Sequence, residues 1–416
     1  MSKAFRYSMG AALTVAVVSI GMCSSVGTAA AQPFPLPPPQ TSEVFPLPDP
    51  DPFYAEPDDL AAHRPGDVLK IRQLPPSYYF PGSALWELLF RTTDSQGRPI
   101  AANTTYVLPS NHVQDGPLLS YQHIINALGH KCKIATELYT TEPLNQIREA
   151  VGLNIALGRG WAVALPDHLG PRMAYGAGKL GGQVTLDGIR AVQNVPEFQV
   201  TNSKVGMGGY SGGGMATAWA AALAPTYAPE LDIIGAAAGG TPMNLVKMGE
   251  ALGTEPHPAF GLAMAAALGL EREYPERVEV TDHLNDNGRR MRGLIGNGCT
   301  NEIMFWGAGR SAAEMTDNQQ NFMDLPEARK VLEENSLELY PRVPAAPLFE
   351  WHSPTDVLIP VDSLENTLRR YCGAGVPVQS LLTASPDHLS AAALGLPPAL
   401  DWLDARFREE PAPTNC

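Results

Sequence analysis

Cysteine, positive charge and long apolar runs are scarce in this chain, and each scarcity removes a class of function. Only five cysteines occur in 416 residues, and no two are spaced C-x-x-C. That argues against a metal site or a thiol redox motif. Lys and Arg number 29 against 43 Asp and Glu, for a formal charge of −14. With no local Lys/Arg cluster to override it, this charge repels nucleic acid. Beyond the first thirty residues no run is long and apolar enough for a transmembrane helix. Internal repeats are also missing, which argues against a solenoid or propeller.

What is present begins with a leader. Lys3 and Arg6 precede an apolar run from Met9 to Met22, and Ala29-Ala30-Ala31 offers a small-residue cleavage site. This reads as a signal peptide over residues 1–31, cleaved near Ala31. Met22 stands just ahead of Cys23 where a lipoprotein signal needs a small residue, so no lipid anchor is expected. Loss of Lys3 and Arg6 takes the formal charge from −14 to −16. The expectation is an exported protein. Four cysteines remain, an even number suited to two disulfides in an oxidising compartment. Three pairings are open. Cys132–Cys299 with Cys372–Cys416 is favoured, because the first would tether an insertion and the second would tie down the C-terminus.

Residues 32–68 open with nine prolines between Pro33 and Pro52. Such an arm is extended and polyproline-like, either a spacer or a strap along the surface. Strand patterns follow from about Leu69. Trp86–Arg91 and Thr104–Leu108 flank the turn Asp94–Pro99. Strands at 117–122, 161–166, 204–207, 233–238, 347–351 and 376–382 then alternate with helices at 143–156 and 180–193. This rhythm predicts an α/β fold with a mostly parallel sheet covered on both faces. Residues 241–342 break it with helical patterns, among them 243–252 and 260–270, and few strand candidates. They are expected to form a helical cap inserted after the sixth strand, dividing a core of residues 69–240 and 343–416. The run Phe260–Leu268 could line an acyl pocket or be plain core.

The chemistry centres on Gly209-Tyr210-Ser211-Gly212-Gly213, a G-x-S-x-G placed between a strand and a helix of small residues. Glycines on either side allow the sharp turn that lifts a serine Oγ clear of the backbone. A serine needs a base, and the base needs a carboxylate to fix its tautomer. On α/β-hydrolase sheets the chain order is nucleophile, acid, histidine. Asp356 follows the strand 347–351. His388 follows the last strand and is the last histidine in the chain. Ser211, Asp356 and His388 are therefore the expected triad, with Asp387 as a helix cap and His352 in a packing or hydrogen-bonding role. Gly212 N–H is the first expected oxyanion donor.

Several segments together resemble the secretory lipase family of α/β-hydrolases, the fungal lipase A type and its bacterial relatives. They are Asp51-Pro52-Phe53-Tyr54, Ser120-Tyr121-Gln122 with Leu128-Gly129 and Cys132, Leu165–Pro171, Leu186–Ala191 and the serine turn itself. The resemblance implies the same triad, the same two disulfides, a helical cap, and hydrolysis of lipid esters, triacylglycerols included, with no cofactor or metal. The substrate would be met free or at a lipid–water interface. The family usually carries Asp in the oxyanion loop where this chain has Asn126, which makes Asn126 the second oxyanion candidate. A short-chain esterase, an acyltransferase, a serine peptidase and a non-catalytic envelope binding protein are the competing readings.

Overall fold

Nine strands join into a single sheet. They are β1 (Val68–Leu74), β2 (Ser83–Thr93), β3 (Pro99–Pro109), β4 (Leu118–Gln122), β5 (Ala162–Pro166), β6 (Val205–Tyr210), β7 (Ile233–Gly239), β8 (Leu348–His352) and β9 (Val378–Leu382). The computed structural model describes residues 44–139, 143–252, 254–317 and 321–416. The expected leader and the first residues of the proline-rich arm lie outside the described residues. Spatial order is β1-β2-β3-β5-β4-β6-β7-β8-β9. The first three strands pair antiparallel, and the six from β5 to β9 across the sheet are parallel.

The helices are α1 (Ile134–Glu137), α2 (Pro143–Gly158), α3 (Gly178–Gln193), α4 (Gly212–Tyr227), α5 (Leu245–Leu252), α6 (Phe260–Glu273), α7 (Asp286–Ile295), α8 (Thr300–Gly307), α9 (Ala312–Met315), α10 (Pro326–Glu334), α11 (Val361–Gly373) and α12 (His388–Phe407). The central strands β4, β5 and β6 are buried at every position, as parallel strands with two covered faces must be. Val184, Ile189 and Val192 of α3 pack with Trp219 of α4 and Met207 of β6 in one core. Leu153 of α2 and Trp402 and Leu403 of α12 form a second. Gly206 of β6 faces Leu403 and Phe407 of α12. The two clusters thus cover opposite faces, and each fully buried Leu or Phe contributes about 1.5–3 kcal/mol.

This is the α/β-hydrolase architecture expected from the sequence, with two differences. An extra edge strand, β1, precedes the expected set, so the helical insertion follows the seventh strand in chain order rather than the sixth. Strand β6 also continues through Gly208 and Gly209 to Tyr210. A Cβ at Gly209 would lie 2.6 Å from Gly213 O, so glycine there lets α4 close onto the strand end. Between β7 and β8 the described residues hold helices α5 to α10 and only two isolated bridges, His257–Arg310 and Leu284–Thr316.

From Val44 onward the arm lies along the surface. Lys133 Nζ pairs with Asp49 at 3.0 Å. Arg72 pairs with Asp51 and with the buried Glu87, each at 2.6 Å, and lies 4.1 Å over the Phe53 ring. Disulfides join Cys132 to Cys299 and Cys372 to Cys416. The first bridges the loop after β4 to the start of α8. The second holds the chain end beside β9, where Asn415 N–H donates to Val378 O at 3.0 Å.

Candidate active site

Ser211 sits between the last residue of β6 and the first of α4 with φ 55° and ψ −121°. Positive φ is costly for a residue with a Cβ, and such strain concentrates at functional turns. The fold holds it in place. Ser211 N–H donates to Gly239 O of β7 at 2.8 Å. Gly213 packs so closely on Gln122 O that any Cβ would overlap it.

His388 is the first residue of α12. Its Nε2 lies 2.9 Å from Ser211 Oγ, and its Nδ1 lies 2.6 Å from Asp356 Oδ2. A neutral ring with its proton on Nδ1 satisfies both contacts, donating to Asp356 and accepting from the serine hydroxyl. The other carboxylate oxygen, Asp356 Oδ1, accepts from Leu358 N–H at 2.9 Å and Ile359 N–H at 3.0 Å. Burial favours the protonated carboxyl, but the His388 hydrogen bond and these backbone donors outweigh it and hold Asp356 below its ordinary value. The three expected residues, far apart in sequence, are thus brought into one hydrogen-bonded chain.

Gly212, with α4 running away from it, offers a backbone N–H at a positive helix end. Asn126 comes from the loop after β4 and packs against it: a Cβ on Gly212 would lie 2.6 Å from Asn126 Oδ1. That oxygen is buried without a hydrogen-bond partner. Two histidines and a glutamate that sequence reading passed over support this loop. Glu149 accepts from His123 Nδ1 at 2.5 Å and from Ile124 N–H at 3.1 Å. His168 Nε2 lies 2.9 Å from His123 O and donates to it. Burial drives the His168 pKa down to about 4, so it stays a neutral donor. Arg272 of α6, also buried, donates to Leu128 O at 2.7 Å and to Gly296 O at 2.6 Å. No local motif marks these side chains, since their partners, backbone atoms in all but the His123–Glu149 pair, are remote in sequence. His352 turns to Glu350 at 2.9 Å, away from the triad, and Asp387 caps α12 through Ser390 N–H at 2.9 Å.

Ser211, His388, Gly212 and Asn126 open onto a cavity of about 200 Å³. Its far wall comes from the insertion: Met248 and Leu252 of α5, Leu262, Ala263, Ala266 and Ala267 of α6, and Leu332 of α10. Among the described residues no Asp, Glu, Lys or Arg lines it. A site so built accepts an uncharged, apolar group beside a strained serine.

Residues 141–415 match the family described as secretory lipase. The chain belongs to the secretory lipase family. It is 31% identical over 393 residues to Lipase 6 of Candida albicans, covering 89% of this chain and 83% of that protein. It is 32% identical over 379 residues to a protein of Mycobacterium tuberculosis named a probable inactive lipase, covering 88% and 83%. Among solved structures, Candida antarctica lipase A in its closed state superposes with a TM-score of 0.82 at 27% identity, covering 90% of this chain and 91% of that one. This secretory lipase is therefore a hydrolase of lipase or esterase type, and the family implies a lipid ester as substrate. Among its described residues no helix is long and apolar enough to cross a membrane.

Proposed function

We propose that the chain is a secreted serine carboxylester hydrolase that cleaves lipid esters, triacylglycerols included, through an acyl-enzyme. The observation that carries this is His388 bridging Ser211 Oγ and Asp356 at the mouth of an uncharged apolar cavity. Ser211 Oγ gives its proton to His388 Nε2 and attacks the ester carbonyl carbon. Negative charge on the carbonyl oxygen is held by Gly212 N–H and by Asn126, through its backbone N–H or, with the amide turned over, its NH₂. Asp356 keeps the imidazole in the working tautomer and stabilises its cation. The carbon–alkoxide bond breaks, and the alcohol leaves with the proton from His388. Water then gives a proton to His388 and attacks the Ser211 ester; the bond from the carbonyl carbon to Ser211 Oγ breaks, His388 returns the proton to Oγ, and the acid is released.

Residues 241–342 act as the cap over this site, on a core of residues 69–240 and 343–416, after removal of residues 1–31. The apolar cavity favours a long acyl chain over the short-chain esterase reading, and a lining without Asp, Glu, Lys or Arg among the described residues favours an uncharged ester over a peptide. The test is a burst experiment with p-nitrophenyl acetate. One equivalent of nitrophenol per protein and an acetyl group on the Ser211 peptide are expected. Acetyl at another residue, or turnover unchanged in Ser211→Ala, contradicts the proposal.

A further inference from the structure

Three hydroxyl groups converge on the backbone of the loop that delivers His388. Ser353 Oγ donates to Ser385 O at 2.9 Å, Thr355 Oγ1 to Pro386 O at 3.0 Å, and Tyr210 OH to His388 O at 2.6 Å. Ser353 and Thr355 belong to the loop that carries Asp356, and Tyr210 immediately precedes Ser211. Each end of the triad thus extends a hydroxyl from its own segment to the loop of the histidine. Thr383 adds a fourth tie within that loop, bonding His352 O and Ser385 Oγ, each at 2.9 Å. The Tyr210 ring also lies 5.0 Å from the His388 ring. Burial, then the nearby carboxylates of Asp356, Glu350 and Asp387, push the Tyr210 phenol well above its ordinary value, so it stays a donor.

We propose that Tyr210, Ser353 and Thr355 are positioning residues that clamp the His388 loop, fixing Nε2 against Ser211 Oγ and Nδ1 against Asp356 Oδ2. The inference rests on the triad reading above. Its physical basis is that residues 383–387 stand outside helix and strand, so their carbonyls have few partners in regular structure. The histidine ring inherits whatever play that backbone has. Misplacement by about 1 Å can cost on the order of 100-fold in rate.

The test compares full-length Tyr210→Phe, Thr355→Val and Thr355→Ser with wild type. Readouts are kcat and KM on p-nitrophenyl butyrate, the rate of Ser211 phosphonylation by a p-nitrophenyl alkylphosphonate, and the thermal midpoint. Thr355 is exposed, so its isosteric change to Val leaves the core untouched. Expected is a fall in kcat of about 10- to 100-fold for Tyr210→Phe and about 3- to 10-fold for Thr355→Val. KM should stay within about twofold, phosphonylation should slow in the same ratio as kcat, and Thr355→Ser should recover most of the rate. Folded Tyr210→Phe and Thr355→Val proteins with wild-type kcat overturn the clamp. So does a loss that Thr355→Ser fails to rescue, or one carried by KM. If wild type itself is not phosphonylated at Ser211, the triad reading falls and takes the clamp with it. Labelling of wild type at Ser211 with unchanged rates in both variants overturns the clamp alone.

Discussion

At the scale of single residues, the site turns on where charge can develop and be held. Asn126 is the informative position, because its amide lies against Gly212 with a buried oxygen that lacks a partner. Truncation by Asn126→Ala should lower kcat about 10- to 100-fold with KM nearly unchanged, less than or equal to the loss of a full oxyanion donor. Unchanged kcat would assign the donor to the backbone N–H alone. Asn126→Asp sharpens the point through its pH dependence. A carboxyl donates only when protonated, so activity should be retained below its titration and lost as pH rises through it. A variant profile parallel to wild type would contradict a side-chain role. Ser211, Asp356 and His388 were legible from chain order and strand ends. Tyr210, Ser353, Thr355 and Glu149 were not, because a hydroxyl or carboxylate that bonds a distant backbone atom leaves no pattern in the sequence.

At the scale of elements, buried strands announced themselves by composition. Residues 162–166 hold a continuous apolar run and residues 118–122 open with Leu118-Leu119, and helix α3 carries its apolar stripe openly. The sequence shortens strand β6 to 204–207 because Gly208 and Gly209 have no strand propensity, although close packing by α4 demands glycine at 209. Strand β1 does not stand out in the sequence as a separate element because Lys70 and Arg72 interrupt its apolar residues; both cations serve the arm that crosses it. Helix α6 resolves the two readings of its apolar run by having both roles. Ala265 and Leu268 are buried in the core, while Ala263, Ala266 and Ala267 line the cavity. Filling that space is a direct test of acyl binding. Ala267→Phe should cut kcat/KM for p-nitrophenyl palmitate about tenfold or more and leave p-nitrophenyl acetate within about twofold. Equal losses on both esters would place the acyl chain elsewhere.

At the scale of the whole molecule, the insertion is tied to the core by the Cys132–Cys299 disulfide, expected from the cysteine count, and by the buried hydrogen bonds of Arg272, which periodicity cannot reveal. Asp167 lies in the same region, at the end of β5, accepting from Ile134 N–H at 2.9 Å and from Asn103. Complete burial raises its pKa to about 6, only partly offset by the Ile134 N–H and Lys133. Since the folded value exceeds an unfolded value of about 3.9, the fold prefers the protonated form. That contribution is present below about pH 4 and is lost as pH rises through about 6, on the order of 3 kcal/mol. Asp167→Asn removes the titration, so its stability relative to wild type should rise between pH 4 and pH 6. Denaturant unfolding across that range checks it, and parallel profiles would contradict it.

The proposed function makes Ser211 the nucleophile of an enzyme for lipid esters. Its most direct measurement is hydrolysis of p-nitrophenyl esters from acetate to palmitate by wild type and Ser211→Ala. Expected is a rate that rises with acyl length in wild type and falls by on the order of 10⁶ in kcat in the variant. Equal turnover by the two proteins would contradict it.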